Sequence, residues 1–400
     1  MLARNWAAAR PPLPLAAATV AAFWGAAYTA GRWIDSFVTY PVHEDIRFDY
    51  VAAEAGLRFG WSKIYDFGTL RLLSEGFPQA SINSGATYIS PPPLALLFTP
   101  LTAFSEPVAY LAWTVVSVAA IVFAWHATAP AYGGMGRIAL LLAGLALWPV
   151  YLAFYYGQPE LVILALVAGA WWLMRRNHAF GAGALLAVAL SLKPQVVFMV
   201  PLCLLAAGRI RPVAACAAAA IAIGAVSAAL LEPAGIASYW SALKLVQSDP
   251  QHSYFTISYL FGNGAIAYVL LALQGAMCLA VAWRRRDSID VTVAVGLLGS
   301  LMVSFHLHQP DYANLLLAAW LVLRGAPSML HKAWLAAGFV TMQVLTFGQP
   351  APQLAWNLVW LLILGFESQN AEENAGQYRL QAEGQQHGGR DDLAHGQARI

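Results

Sequence analysis

Few side chains in this sequence can move a proton or hold an anion, and those few are clustered. The densest group is His43-Glu44-Asp45-Ile46-Arg47-Phe48-Asp49-Tyr50. A carboxylate in such a group suits a general base, which removes the proton of an attacking hydroxyl as the new bond forms. If a helix begins near Asp45, that residue can cap it, and Asp49 then lies one turn on along the same face. Capping and catalysis are compatible. The plainer alternative is a solvated loop, where charge is ordinary.

Lys193 stands in Leu190-Ser191-Leu192-Lys193-Pro194-Gln195, inside a run from 179 to 207 with no other charge. On insertion scales a charge at membrane depth costs about 2.5–3.5 kcal/mol unless it finds a partner or reaches the headgroups. Lys193 is therefore either a functional residue or the tip of a hairpin touching the headgroups. A second polar island reads Phe305-His306-Leu307-His308-Gln309-Pro310-Asp311-Tyr312. Two histidines and an aspartate suggest a metal only weakly, because further ligands at fixed spacing are missing. Imidazoles at headgroup level suit a phosphate instead. Gly157-Gln158-Pro159-Glu160 is a third polar turn. Tyr88-Ile89-Ser90-Pro91-Pro92-Pro93 has the prolines that a first helical turn tolerates. The three cysteines sit in apolar stretches and read as small buried hydrophobes. No phosphate-cradling glycine loop, nucleophile elbow or cysteine-rich metal pattern is present.

The elements that must position these residues follow from composition. Of the 400 residues 60% are apolar and 10% charged, with a mean hydropathy of +0.59. Soluble domains keep about 25% of their residues charged. The fold class is therefore all-α: a polytopic helical membrane protein. A soluble enzyme, a nucleic-acid binder and a secreted disulfide scaffold are excluded, and a net charge of +2 points to no acidic partner. Residues 35–90 and 367–400 hold 13 of the 20 acids.

Membrane segments are expected over 12–34, 91–104, 107–128, 138–155, 159–174, 179–192, 194–208, 213–231, 259–283, 289–306, 312–323, 333–347 and 354–366. The pairs meeting at Lys193-Pro194 and at residue 105 are each a tight hairpin or one kinked helix, giving 11–13 segments. The apolar run after Arg10 has spanning length without a small-residue cleavage site and reads as a retained first helix. Arg175-Arg176, Arg209/Arg211, Arg284-Arg285-Arg286 and Arg324/Lys332 recur at two-segment intervals. Placed in the cytoplasm, they put 35–90, Lys193, 232–258, 306–311 and 348–353 on the outer face. One segment within 91–174 must then be re-entrant or not a segment at all. Phe48, Ala52, Ala55 and Phe59 fall at helical spacing in Ile46–Phe59, as in an amphipathic helix at the membrane interface within a long first outer loop (35–90). Residues 1–366 form the membrane domain. The polar, Gln- and Gly-rich segment 367–400 has no apolar period and reads as a disordered cytoplasmic tail.

These features resemble glycosyltransferase family 87, whose members are membrane enzymes of the GT-C fold using polyprenyl-phosphate sugars, typically mannose. Four places carry the resemblance. Asp45 is followed five residues on by Tyr50 and then by Ala52 and Ala53, with Ile64-Tyr65-Asp66 downstream. Tyr88 to Pro93 and Pro100 resemble the family's aromatic-Pro-Pro stretch. Gly157-Gln158 resembles its Gly-Gln turn, and Gly181 to Pro194 its Ala-Gly…Lys-Pro hairpin. Phe305–Tyr312 differs in spacing from the family's late histidine element. The resemblance implies an inverting sugar transfer at the periplasmic side of the inner (plasma) membrane, from a polyprenyl-phosphate donor to a lipid or glycan acceptor. It implies Asp45 as general base, and Lys193, Arg47, His306 and His308 at the donor phosphate. Asp49, Tyr50, Tyr88 and Gln158 would bind substrate, with no cofactor, no metal and no nucleic-acid partner. A transporter or flippase for a lipid-linked saccharide is the alternative, although the two-halves symmetry common in transporters is not evident.

Overall fold

The computed structural model describes residues 12–40, 44–75, 88–130, 132–247 and 254–366, and among these it is helical without strands. The expected tail from 367 and His43 lie outside the described residues. In chain order the helices are α1 (Leu13–Thr39), α2 (Glu44–Phe59), α3 (Phe67–Ser74), α4 (Pro92–Phe98), α5 (Glu106–Thr128) and α6 (Gly134–Leu145). There follow α7 (Trp148–Tyr156), α8 (Glu160–Arg175), α9 (Ala179–Leu192), α10 (Met199–Ala206), α11 (Ile210–Gln247) and α12 (Ile257–Phe261). The last five are α13 (Ala265–Arg284), α14 (Ile289–Met302), α15 (Asn314–Arg324), α16 (Met329–Val344) and α17 (Ala351–Phe366).

The chain is a polytopic helical membrane protein. Among the described residues α1, α5, α11 and α13 are long and apolar enough to cross a bilayer, and α6 and α7, bent by 59° at their junction, reach that length only when counted together. Many of the other expected segments are shorter helices. Side-chain types explain the arrangement: α14, with small and branched residues throughout, is buried from Val291 to Met302, so it is packed by protein on every side. By contrast α1 has no buried residue. It lies along α6, tied by Thr29 Oγ1 donating to the Leu145 carbonyl at 3.0 Å and by Trp33 Nε1 donating to the Tyr110 hydroxyl at 2.8 Å.

The bundle has two chemically distinct ends. At one, Asp290 pairs with Arg175 (3.4 Å) and Arg324 (3.7 Å) and accepts from Trp171 Nε1 at 2.8 Å, while Arg209 reaches the Arg286 carbonyl at 3.5 Å. The basic residues spaced at two-segment intervals thus gather on one side. Asp45, Gln158, Lys193 and Asp311 gather on the other, linked to one another by side-chain bonds.

Residues 91–104 do not form one helix of spanning length. Helix α4 lasts seven residues and passes into a 3-10 turn over Thr99–Ala103, because Pro91, Pro92, Pro93 and Pro100 deny backbone donors to a longer helix. Both its flanks are held in the α2 layer: Tyr65 donates to the Ser90 carbonyl at 2.7 Å and Tyr50 to that of Phe104 at 2.8 Å. The break at Lys193-Pro194 is a reversal: α9 starts beside the beginning of α11, where a Cβ on Gly183 would lie 2.5 Å from the Pro212 carbonyl oxygen, and α10 runs back to that same end. The two arms splay, α9 packing on α8 and α11 while α10 packs on α14.

Two regions differ from expectation. The segment 232–258, expected as outer loop, continues as helix to Gln247 beyond a break at Glu232 (φ 56°, ψ 172°), where Pro233 interrupts the backbone ladder. Its second half folds over the α2 layer, bringing Tyr239 to 4.6 Å from Tyr65 ring to ring. Helix α2 is also more enclosed than an interfacial helix. Ala52, Ala53 and Ala55 are fully buried against α3, α4 and Trp61–Lys63, and only its end, at Phe59, is open. Its small residues permit this: a Cβ on Gly56 would lie 2.7 Å from the Trp61 ring.

Candidate active site

Four separate stretches of chain meet at the end opposite the basic residues. Helix α2 begins at Glu44, so Asp45 sits inside its first turn, where the exposed N–H groups favour a negative side chain. Helix α7 ends at Gly157, which adopts the left-handed conformation (φ 67°) that glycine tolerates, and its closing turn presents Gln158. Helix α8 starts two residues later with Glu160. Lys193 lies at the α9–α10 reversal. Asp311 lies in a 3-10 turn over Gln309–Ala313, ahead of α15.

The contacts form one connected chain. Lys193 Nζ is bonded to Glu160 Oε1, lies 2.6 Å from Asp311 Oδ1, and donates to Gln158 Oε1 at 3.1 Å. Three protein oxygens thereby surround the ammonium. Because Gln158 accepts on its oxygen, its amide NH2 must point away from Lys193, and there it donates to Asp45 Oδ2. The ammonium thus fixes which end of the amide faces Asp45. Asp311 is itself tied down: its Oδ2 accepts from the His308 backbone N–H at 2.6 Å. Glu160 and Asp311 are fully buried, so without Lys193 both would be charges without a counter-ion.

Asp49 is buried one turn along α2 from Asp45. Burial pushes its carboxyl well above the usual carboxylate range, the neighbouring Asp45 adds to this, and Lys193 only partly opposes it. Asp49 therefore holds its proton to higher pH than an ordinary aspartate and presents an O–H donor. Since its pKa is raised on folding, the stability it contributes is present below the unfolded-state value and is lost as pH rises through the folded one. Asn mimics the protonated acid. Asp49→Asn is expected to leave thermal stability near wild type only at pH below the unfolded-state value of an aspartate, and to exceed wild type by a growing margin as pH rises above it. A thermal-unfolding series over pH in detergent checks this; a loss that grows as pH rises would mean that Asp49 is ionised in the fold.

The other expected residues fall at graded distances from this centre. Tyr88 is buried, stacked on Tyr65 with ring centroids 5.4 Å apart, and close enough to Asp49 for the two to perturb each other. His306 and His308 meet edge to face at 4.8 Å beside Asp311. Arg47 and Tyr50 face elsewhere on α2. Arg47 is buried against Glu106 at 3.2 Å, and the Tyr50 hydroxyl is taken by the Phe104 carbonyl. Among the described residues no three metal-ligating side chains come together as a metal site.

Sequence reading missed the part played by Glu160 and Asp311 as partners of Lys193. The signal was available. Outside the first loop and the tail the chain has only seven acids, so an isolated cation and isolated acids in apolar surroundings have few partners but one another.

No curated protein and no solved structure matches the chain. The model of glycosyltransferase family 87 matches residues 88–310, more than half of the chain. That stretch contains Tyr88, Gln158, Glu160, Lys193, His306 and His308, while Asp45 and Asp49 precede it. The match decides between the enzyme and transporter alternatives: the chain belongs to glycosyltransferase family 87 and is a membrane glycosyltransferase.

Proposed function

We propose that the protein transfers mannose from a polyprenyl-phosphate donor to a hydroxyl of a lipid or glycan acceptor, with inversion, at the extracytoplasmic face of the plasma membrane. The basic end of the bundle, with the segment from 367, then faces the cytoplasm. The observation that carries this reading is the Lys193–Gln158–Asp45 chain, which orients one carboxylate at the membrane boundary. In the reaction Asp45 accepts the proton of the acceptor hydroxyl as its oxygen attacks the anomeric carbon. The bond from that carbon to the phosphate oxygen breaks, and polyprenyl phosphate departs with the electron pair. A single displacement inverts the anomeric centre. Asp49, as an O–H donor, and Tyr88 orient the sugars. His306 and His308 lie on the side of the departing phosphate. Lys193, with three oxygens already around its ammonium, serves by positioning Gln158 and neutralising Glu160 and Asp311. Arg47 does the same for Glu106.

The direct test supplies the purified protein in lipid nanodiscs with polyprenyl-phosphate mannose and acceptor lipids extracted from cells lacking the protein. A product of opposite anomeric configuration is expected, at a rate that a chelator leaves unchanged. Transfer from a sugar nucleotide with no lipid carrier, or abolition by the chelator, would overturn the reading.

A further inference from the structure

Arg32 is a cation inside the apolar first helix, seven residues before its end. A charge in such a helix is costly unless it has a partner or a task. Among the described residues it forms no ion pair, not even with Asp35 one turn on. Its guanidinium instead lies over two rings of α7, 5.1 Å from the centroid of Trp148 and 5.0 Å from that of Tyr151, with Tyr28 of its own helix at 5.9 Å. Ring contacts of this kind supply no acceptor oxygen to the guanidinium N–H groups, whose fixed fork can grip two phosphate oxygens at once.

Its surroundings point to the ligand. Trp148 Nε1 donates to Gln309 Oε1 at 3.0 Å, and Gln309 adjoins His308. At the other end of α7, Gln158 holds Asp45. One short helix therefore joins Arg32 to both sides of the reaction centre. The centre itself gathers Asp45, Glu160 and Asp311 near a single lysine, so acids outnumber the cation there and a further anion gains from a second positive charge close by. Arg32 is a cation beside it that no carboxylate neutralises, and it lies on the flank that α1 leaves open to lipid.

We propose that Arg32, with Trp148 and Tyr151, binds the phosphate of a polyprenyl phosphate that arrives sideways from the lipid. The inference rests on the lipid-phosphate donor proposed above and names the residues that receive it. Binding of polyprenyl phosphate, of uncharged polyprenol and of phosphatidylglycerol is measured on the full protein in detergent by native mass spectrometry. Wild type is expected to prefer polyprenyl phosphate. Arg32→Gln is expected to weaken that binding about tenfold or more, the size of one charge-assisted contact, and to leave polyprenol binding and thermal stability unchanged. Arg32→Lys is expected to recover part of the loss. If wild type shows no preference for the phosphate, the donor reading itself fails, and this site with it. If wild type shows it and Arg32→Gln binds equally well, only the present inference fails. An equal loss for phosphatidylglycerol would reduce Arg32 to a general anionic-lipid anchor and also overturn it.

Discussion

Asp45→Asn is expected to lower sugar transfer by roughly 10²–10⁴-fold, the range that a positioned general base contributes. Asparagine is isosteric and keeps an oxygen for the Gln158 amide, so the Lys193–Gln158 arrangement and the fold should survive. What disappears is the ability to take up the acceptor proton. The loss should therefore fall on kcat, with donor binding and thermal stability near wild type. Initial rates with polyprenyl-phosphate mannose, measured beside binding of the same lipid, separate these quantities. Near-normal turnover would remove Asp45 as the base. A parallel loss of binding and stability would make it a structural carboxylate. Asp49, four residues on, provides the internal contrast: its environment favours the protonated form, so its asparagine variant should cost far less.

The membrane class could be read from scarcity of charge alone, and the site from the exceptions to that scarcity. Asp45 and His308 belong to polar clusters and Gln158 and Lys193 interrupt apolar runs, and packing brings them together from four stretches of chain. What the sequence left open depended on long-range contact. Residues 91–104 are apolar enough to count as a segment, yet their flanks are anchored in the α2 layer by Tyr50 and Tyr65, whose partners no local pattern reveals. Arg47 looked suited to a phosphate as a cation in the same stretch as Asp45. Its opposite acid, Glu106, is 59 residues away. Arg32 drew no notice because a cation near the end of an apolar helix ordinarily reaches for headgroups. Its stacking partners belong to a helix that begins more than a hundred residues later.

Lys193→Met is the second large effect expected. It removes the shared counter-ion of Glu160 and Asp311, both fully buried, and it frees Gln158 to turn. Breaking a buried ion pair by deleting one partner costs about 3–5 kcal/mol, so the thermal midpoint should drop clearly. Transfer should fall a further hundredfold or so, because misplacing a reacting group by about 1 Å has that consequence. The two effects separate in the triple variant Lys193→Met, Glu160→Gln, Asp311→Asn. Neutralising both acids should restore most of the thermal stability, while transfer stays low because nothing orients Gln158. Recovery of rate together with stability would show that the ammonium acts only through the fold. Near-wild-type kinetics in Lys193→Met alone would make it a headgroup contact and nothing more.

The helices that carry this centre are short. From the Asp290 clasp to the site, α8 has 16 residues and α14 has 14, and α9, which ends at Lys193, has 14. At 1.5 Å per residue these reach roughly 21–24 Å, against a hydrocarbon layer of about 30 Å. If the basic end stands at one surface, as the proposed orientation has it, helices of this length would leave the candidate site several ångströms short of the opposite one. Either the bilayer thins around the protein or the lipid phosphate sinks to meet it, and mismatch of this kind costs fractions of a kcal/mol per ångström. The acyl-chain length of the surrounding lipid thereby becomes a control on turnover, slowing it in thick bilayers and easing it in thin ones without any change to the protein.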